Sequence, residues 1–387
     1  MKRCGPGSSI LVLSHEFPPI GGGAGINLDF LCRGLHRHGV GITLMTVSSS
    51  KRIPGPFPVI PIRTTRWKRF ETNLTTMFFF CIGAVVRSLS IDGKQYGAVF
   101  SNMALPAGLP GALLSRRFRI PHIIWHHGSD VHGGRPEGAG LLQKILLRVI
   151  WRSSSVNLFV SGSLGRLALS YNGRTPDAAH VLSIGVDAPD TSARPSPEKK
   201  SFFIYLGRLE KVKNPLLALH AWKLLTGRDG KVPRLGIYGN GSLESAMHRY
   251  IRKWDLSAHV QISDSVDHPE ALRLLASSKA LILPSLIEGF NSTMVEAALL
   301  GIPTIGSDVC GIRDFIVNGE SGILFRTNFA QGLADAVSRL DSDADSAGRL
   351  GCSARSHAQE LTTERVVSEC IRHLAAVAPS TVSLERS

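Results

Sequence analysis

The chain has 387 residues, enough for two domains that each bury a core, and 43% hydrophobic with 19% charged residues excludes a disordered protein. The net charge of +14 is confined to one half: residues 1–185 carry 21 Lys+Arg and 7 Asp+Glu, whereas residues 186–387 carry 23 of each. The basic half calls for an acidic partner, but its cations are spread among Pro, Gly and aliphatics without a DNA- or RNA-binding motif, so nucleic acid is set aside and an anionic membrane surface or lipid-phosphate acceptor is kept.

The first strand is predicted over Ser9–Ser14. MKRCGPGSSILVLS shows no secretory signal, and no apolar run reaches the roughly 18 residues of a membrane span. Cys4, Cys32, Cys81, Cys310, Cys352 and Cys370 are scattered without metal-ligand spacing. They read as reduced and mostly buried, in a cytoplasmic chain where the sequons at Asn73 and Asn291 are coincidental. The strand runs into HEFPPIGGGAGIN, where Gly21, Gly22, Gly23 and Gly25 can expose amides at a helix start; a flexible turn is the plain alternative. A dinucleotide loop needs glycines directly after the strand and an acid ending the next one. Both are missing, which argues against NAD.

A helix is expected over Asn27–His38 and a strand over Gly41–Val47. Arg63, Arg66, Lys68 and Arg69 then precede the apolar Met77–Val86. That combination suits a helix lying on an anionic bilayer, or a core helix of the α/β domain behind a basic flank that itself touches lipid. Tyr96–Ser101 and His122–His126 continue a parallel sheet, and the latter brings His126, His127 and Asp130 to its carboxyl end; a lone histidine pair is no metal site. Val156–Ser161 and His180–Ser183 complete a first domain over residues 1–186. Residues 187–200 are polar and Pro-rich and read as a linker. A second domain over 201–377, whose last helix can pack back on the first, precedes a flexible tail, 378–387.

In the second domain, strands are expected over Ser201–Leu206, Arg234–Tyr238 and Val260–Ser263. Arg208 and Lys213 flank the first strand-to-helix turn, where two cations can hold a diphosphate or simply form a solvated basic turn. Ala280–Leu283 reads as a strand, Thr293–Leu300 as a helix and Pro303–Gly306 as the next strand. Glu288 therefore lies in a loop leaving a strand and Glu296 near the first helical turn, where ligands of open α/β sheets bind. The amides of Phe290, Asn291, Ser292 and Thr293 suit a phosphate, and the carboxylates suit sugar hydroxyls. Phosphate and diol side by side describe a nucleotide-sugar. Thr293 and Glu296 also have the spacing of a capping box.

The order Pro284-Ser285-x-x-Glu288-Gly289-Phe290, then Glu296-Ala297, Gly301, Pro303 and Ile305, resembles the signature of retaining glycosyltransferases of family 4. Gly207-Arg208-Leu209 with Lys213-Asn214, the turn IYGNGSLESAM and His127-Gly128-x-Asp130 resemble further elements of that family, in its order, over roughly residues 9–330. The resemblance implies an α/β fold of two Rossmann-like, doubly wound domains facing across a cleft (GT-B). It implies transfer of a hexose-like sugar from a nucleoside diphosphate, UDP by family bias, to a glycan or lipid-linked acceptor in cell-surface polysaccharide or glycolipid synthesis. The protein would be cytoplasmic or peripheral on the cytoplasmic membrane face. No metal or cofactor is implied, since Arg208, Lys213 and helix-start amides neutralise the leaving diphosphate. Gly22 and Gly23 would face donor phosphates and the acceptor, Gly239 and Gly241 the nucleotide, and Ser263–Val266, with Val266, the base. Gly289 through Thr293 would line the donor, Glu288 would hold the transferred sugar and Glu296 the ribose. His127 would face the reaction centre, and Asp130, on the acceptor side, would steady the loop or orient the acceptor. Asn291-Ser292-Thr293 departs from the commoner glycine- or proline-containing turn, so sugar selectivity does not carry over. A nucleotide-sugar epimerase or hydrolase, and a non-catalytic polyanion- or membrane-binding protein, are the alternatives.

Overall fold

The computed structural model describes residues 7–48, 55–62, 74–132, 140–172, 179–187, 202–228 and 231–382. Two compact units form: one from the described residues up to Gly185 together with those from Thr363 onward, the other from Val186–Thr362. The predicted linker beyond Asp187, and the basic cluster Arg63 to Arg69, lie outside the described residues.

In the first unit, β1 (Ser9–Ser14), β2 (Gly41–Val47), β3 (Val59–Ile62), β4 (Tyr96–Asn102), β5 (His122–His126), β6 (Val156–Phe159) and β7 (Ala179–Val181) form one sheet in the order β3-β2-β1-β4-β5-β6-β7. Every pairing is parallel. The central strands are apolar throughout because helices cover both faces. Right-handed crossovers fix which helix covers which face. Gly23–Arg37 returns the chain leftward from β1 to β2. Leu74–Ser88, Leu109–Phe118, Leu141–Arg152 and Gly162–Asn172 step rightward and lie on the opposite face. Thr363–Val377 packs on Gly23–Arg37, so closely that a Cβ on Gly34 would stand 2.2 Å from Val367.

Helix Gly23–Arg37 begins inside the glycine run, four residues earlier than expected, with Gly22 as its N-cap. The expected tail is packed as far as it is described: Thr381 is buried and Ser380 Oγ donates to Gly7 O at 2.9 Å. Cys32 and Cys370 are buried, Cys81 and Cys310 half-buried and Cys352 exposed, so fewer described cysteines are buried than expected.

The second unit holds β8 (Phe202–Leu206), β9 (Arg234–Tyr238), β10 (Val260–Ser263), β11 (Ala280–Leu283), β12 (Thr304–Ser307) and β13 (Gly322–Phe325), parallel in the order β10-β9-β8-β11-β12-β13. Its core centres on Trp222, which donates Nε1–H to Pro233 O at 2.8 Å. No described helix is long and apolar enough to cross a membrane.

Candidate active site

In the second unit, β8, β9, β10 and β11 end at one edge of the sheet, and their loops are laced together. Gly207 N–H donates to Tyr238 O, Leu209 N–H to Asn240 O, Gly239 N–H to Ser263 O and Leu286 N–H to Val212 O, all within 3.1 Å. The lacing dictates the glycines. A Cβ on Gly239, at φ +155°, would lie 1.9 Å from Gly207 O, and one on Gly241 would lie 2.4 Å from Leu209 O. Asn240 extends the chain of bonds, donating to Asp264 Oδ1 and accepting from Ser265 N–H at 2.8 Å each. Val266 follows, half-buried, before helix His268–Ala276.

Lys213 ends a 3-10 turn, Lys211–Lys213; Asn214 then takes the left-handed conformation (φ 52°) and Pro215 opens helix Pro215–Thr226. Lys213 Nζ lies 2.6 Å from Glu288 Oε2. Ser285 Oγ (3.3 Å) and Asn291 Nδ2 (3.2 Å) donate to the same oxygen. Glu288 is buried, and among the described residues no hydrogen bond falls on Oε1. Three donors on one oxygen hold the charge and leave the other oxygen as an acceptor. Asn291 works at both ends: its Oδ1 accepts from Met294 N–H at 2.9 Å and caps helix Ser292–Leu299. Ser292 and Thr293 form the first turn, half-buried. The loop is pinned from behind, since a Cβ on Gly311 would meet Gly289 O at 2.1 Å, and the Phe290 ring packs edge-on to Phe315 at 6.2 Å.

The capping box from Thr293 to Glu296 does not form, because Asn291 is the cap and Glu296 Oε1 bonds His268 Nε2 at 3.0 Å. That hydrogen bond raises the His268 imidazole above its ordinary pKa. Arg208 is exposed and makes no ion pair among the described residues.

In the first unit, the predicted His127 and Asp130 lie at the end of β5, beside residues that sequence reasoning did not single out. Ser14 Oγ–H donates to Glu16 O at 2.5 Å and accepts from Asn102 Nδ2–H at 3.1 Å. Asn102 therefore turns Oδ1 to His127 Nε2, 2.7 Å away, and that nitrogen must donate. His127 Nδ1 keeps its lone pair. Burial lowers the His127 pKa to about 4, against the pull of the Asp130 and Glu16 charges, so the ring is neutral at neutral pH.

Asp130 is buried and fully engaged, accepting from Ala104 N–H (2.9 Å), Gly128 N–H (3.0 Å), His127 N–H (3.3 Å) and His126 Nδ1 (2.8 Å). Burial pushes its pKa up, but the His126 and Ala104 bonds and the His126 charge outweigh it and hold it at about 2. This environment fits loop-holding rather than acceptor contact. Glu16 is buried inside the glycine loop: it accepts from Gly22 N–H at 3.1 Å, and a Cβ on Gly21 would stand 2.6 Å from its own Cβ. The Gly22 amide expected to face phosphate is thus held by a carboxylate, while Gly23 is open: a Cβ there would meet nothing within 4 Å.

The family model for Glycosyltransferase Family 4 matches residues 21–189, and that for Glycosyl transferases group 1 matches residues 189–357. The chain is 28% identical over 262 residues to the glycogen synthase of Mycobacterium tuberculosis, covering 66% of this chain and 62% of that one. It thus spans less than two thirds of that relative's length. It is 25% identical over 407 aligned positions to D-inositol 3-phosphate glycosyltransferase of Frankia alni, covering 95% and 98% of the two chains. Among solved structures it is similar in fold to Anabaena Alr3699/HepE in complex with UDP and glucose (TM-score 0.74, 17% identity, 95% and 100% covered). It is likewise similar to sucrose-phosphate synthase from Thermosynechococcus elongatus (TM-score 0.79, 18% identity, 95% and 99% covered).

Proposed function

The chain belongs to glycosyltransferase family 4 (glycosyl transferases group 1), with the two parallel-sheet α/β domains of the GT-B class, and from that premise we propose that it moves a sugar from a nucleoside diphosphate, UDP in first place, to a hydroxyl of a glycan or lipid-linked acceptor, retaining the anomeric configuration. The observation that carries this reading is the group of donors on Glu288 Oε2 at the head of helix Ser292–Leu299, with Oε1 left over. Glu288 Oε1 would accept from hydroxyls of the transferred sugar. Lys213, Arg208 and the amides opening the helix would carry the charge that grows on the diphosphate as the bond from C1 to the phosphate oxygen breaks. The acceptor oxygen bonds C1 on the face the phosphate leaves, and the acceptor proton passes to that phosphate oxygen. Glu296, oriented by His268, would take the ribose hydroxyls. His127, with a neutral ring and a free Nδ1 lone pair, would contact the reacting sugar or acceptor hydroxyl. The basic first unit would work at an anionic membrane surface.

The test is a panel of nucleotide-sugars with and without glycan and lipid-extract acceptors, followed by nucleoside diphosphate release and the anomeric signal of the product. Acceptor-dependent release with a retained anomer is expected. Equal turnover without acceptor would support the epimerase or hydrolase, and no nucleotide binding would support the non-catalytic alternative. Turnover should survive EDTA, and loss restored by Mg²⁺ or Mn²⁺ would contradict charge neutralisation by Arg208 and Lys213 alone.

A further inference from the structure

We propose that the first unit docks on an anionic bilayer through one face of its sheet, the face covered by helices Leu74–Ser88, Leu109–Phe118 and Leu141–Arg152. This deepens the membrane part of the function proposed above and rests on it only for the kind of partner. Helix Leu74–Ser88 buries Phe80, Ala84 and Ser88. Its outward positions Phe78 (61% exposed), Phe79, Ile82, Val85 and Val86, and Leu89 just beyond, are apolar too. Their spacing is a helical stripe, the one that is polar on an ordinary surface helix. Helix Leu141–Arg152 repeats the pattern: Leu147, Ile150 and Trp151 face inward, while Leu141 (77% exposed), Leu142 (70%), Ile145 and Val149 face out. Leu113 adds an exposed apolar residue on a third helix, Leu109–Phe118.

These stripes share a face of the sheet by crossover handedness, and local contacts agree. Both outer helices pack against Ala104–Gly108. Cys81 Sγ lies 3.4 Å from Pro106 O on one side, and a Cβ on Gly108 would lie 2.8 Å from Ile150 on the other. Exposed apolar residues gathered on three helices of one face mark an interaction surface.

Charge identifies the occupant. The three helices carry Arg87, Arg116, Arg117, Lys144, Arg148 and Arg152 and no Asp or Glu. On the opposite face, helices Gly23–Arg37 and Thr363–Val377 mix signs, with ion pairs Arg33–Asp29 and Arg37–Glu364. A second copy seated on this face would set cation against cation. An anionic bilayer accepts the apolar stripes between headgroups and attracts the cations around them.

The experiment is sedimentation of the full chain with vesicles of phosphatidylcholine alone and of phosphatidylcholine with phosphatidylglycerol, at low and high salt. Binding should require phosphatidylglycerol and weaken with salt. Phe78→Asp with Leu142→Asp removes two exposed anchors and should weaken it by about tenfold or more; Arg116→Glu with Arg152→Glu should also weaken it. Melting temperature and UDP binding, read separately, should be unchanged, so failure of the docking face and failure of the nucleotide site are distinguishable. The proposal is overturned by no binding to anionic vesicles at low salt, by equal binding of the Phe78→Asp/Leu142→Asp variant, or by a dimer in solution that this variant dissociates.

Discussion

Arg208 and Lys213, five positions apart, meet opposite environments, and that separates their effects. Arg208 is exposed, so Arg208→Ala should leave stability within about 0.5 kcal/mol while lowering turnover on the order of 10²-fold or more. Lys213→Ala should lower turnover similarly and also cost about 1–3 kcal/mol, because buried Glu288 loses its closest partner. Lys213→Met with Glu288→Gln should recover stability in a thermal melt and not turnover; a fully stable Lys213→Ala would contradict the loop-holding part. Acidification gives a second reading at this scale. His127 and His122 are lowered by burial to about 4 and about 3 from 6.5, so the stability tied to their neutral rings is present above pH 6.5 and lost as pH falls toward those values. The contribution of Asp130, held at about 2, is present above 3.8 and lost only below that. Melting temperature should therefore fall from pH 6.5 downward, and His127→Gln should reduce that fall; a flat profile down to pH 4 would contradict it. Glu288, Lys213 and Arg208 are legible as residues, but the bond between two of them is not, since 75 positions separate them. Asn102 and His268 escaped for a related reason: the Asn ending β4 is visible in sequence, but its partners Ser14 and His127 come from the ends of other strands. Glu16 binds Gly22 within its own loop, where the glycines drew the reading and the acid did not.

At the scale of elements, three glycines of similar appearance have different reasons to be glycine. Gly239→Ala and Gly241→Ala would drive a methyl into backbone and should cost about 1–3 kcal/mol or more, with loss of nucleotide binding as the loops part. Gly23→Ala, in open space at a helix start, should be neutral or stabilising by up to about 1 kcal/mol. If it abolishes turnover at unchanged stability, Gly23 is a point of substrate approach; thermal melts beside turnover assays decide. Apolar runs made β1, β2, β5, β9, β10 and β11 legible to their end residues. The strands not read, β3 with Pro61 and β13 opening on Gly322, are both sheet edges, where runs are short and such residues are tolerated. The start of the first helix was hidden because glycine reads as loop whether or not a helix uses it.

For the whole molecule, the charge asymmetry was legible in composition, but its sidedness was not. Only the topology shows that cations and exposed apolar stripes share one face of the first sheet while mixed charges occupy the other. The signature around Glu288 is continuous in sequence, and the last helix, expected to be able to pack back on the first domain, joins the first unit as Thr363–Val377. In the proposed function the second unit holds a nucleoside diphosphate between Lys213, the helix-start amides and Glu296. The most direct measurement is equilibrium binding of UDP to the wild-type chain and to Glu296→Ala. Saturable binding at one site per chain is expected, weakened in the variant by about 1.5–3 kcal/mol at an unchanged melting temperature. No saturable binding of UDP or any other nucleoside diphosphate, or equal affinity of the two proteins, would contradict it.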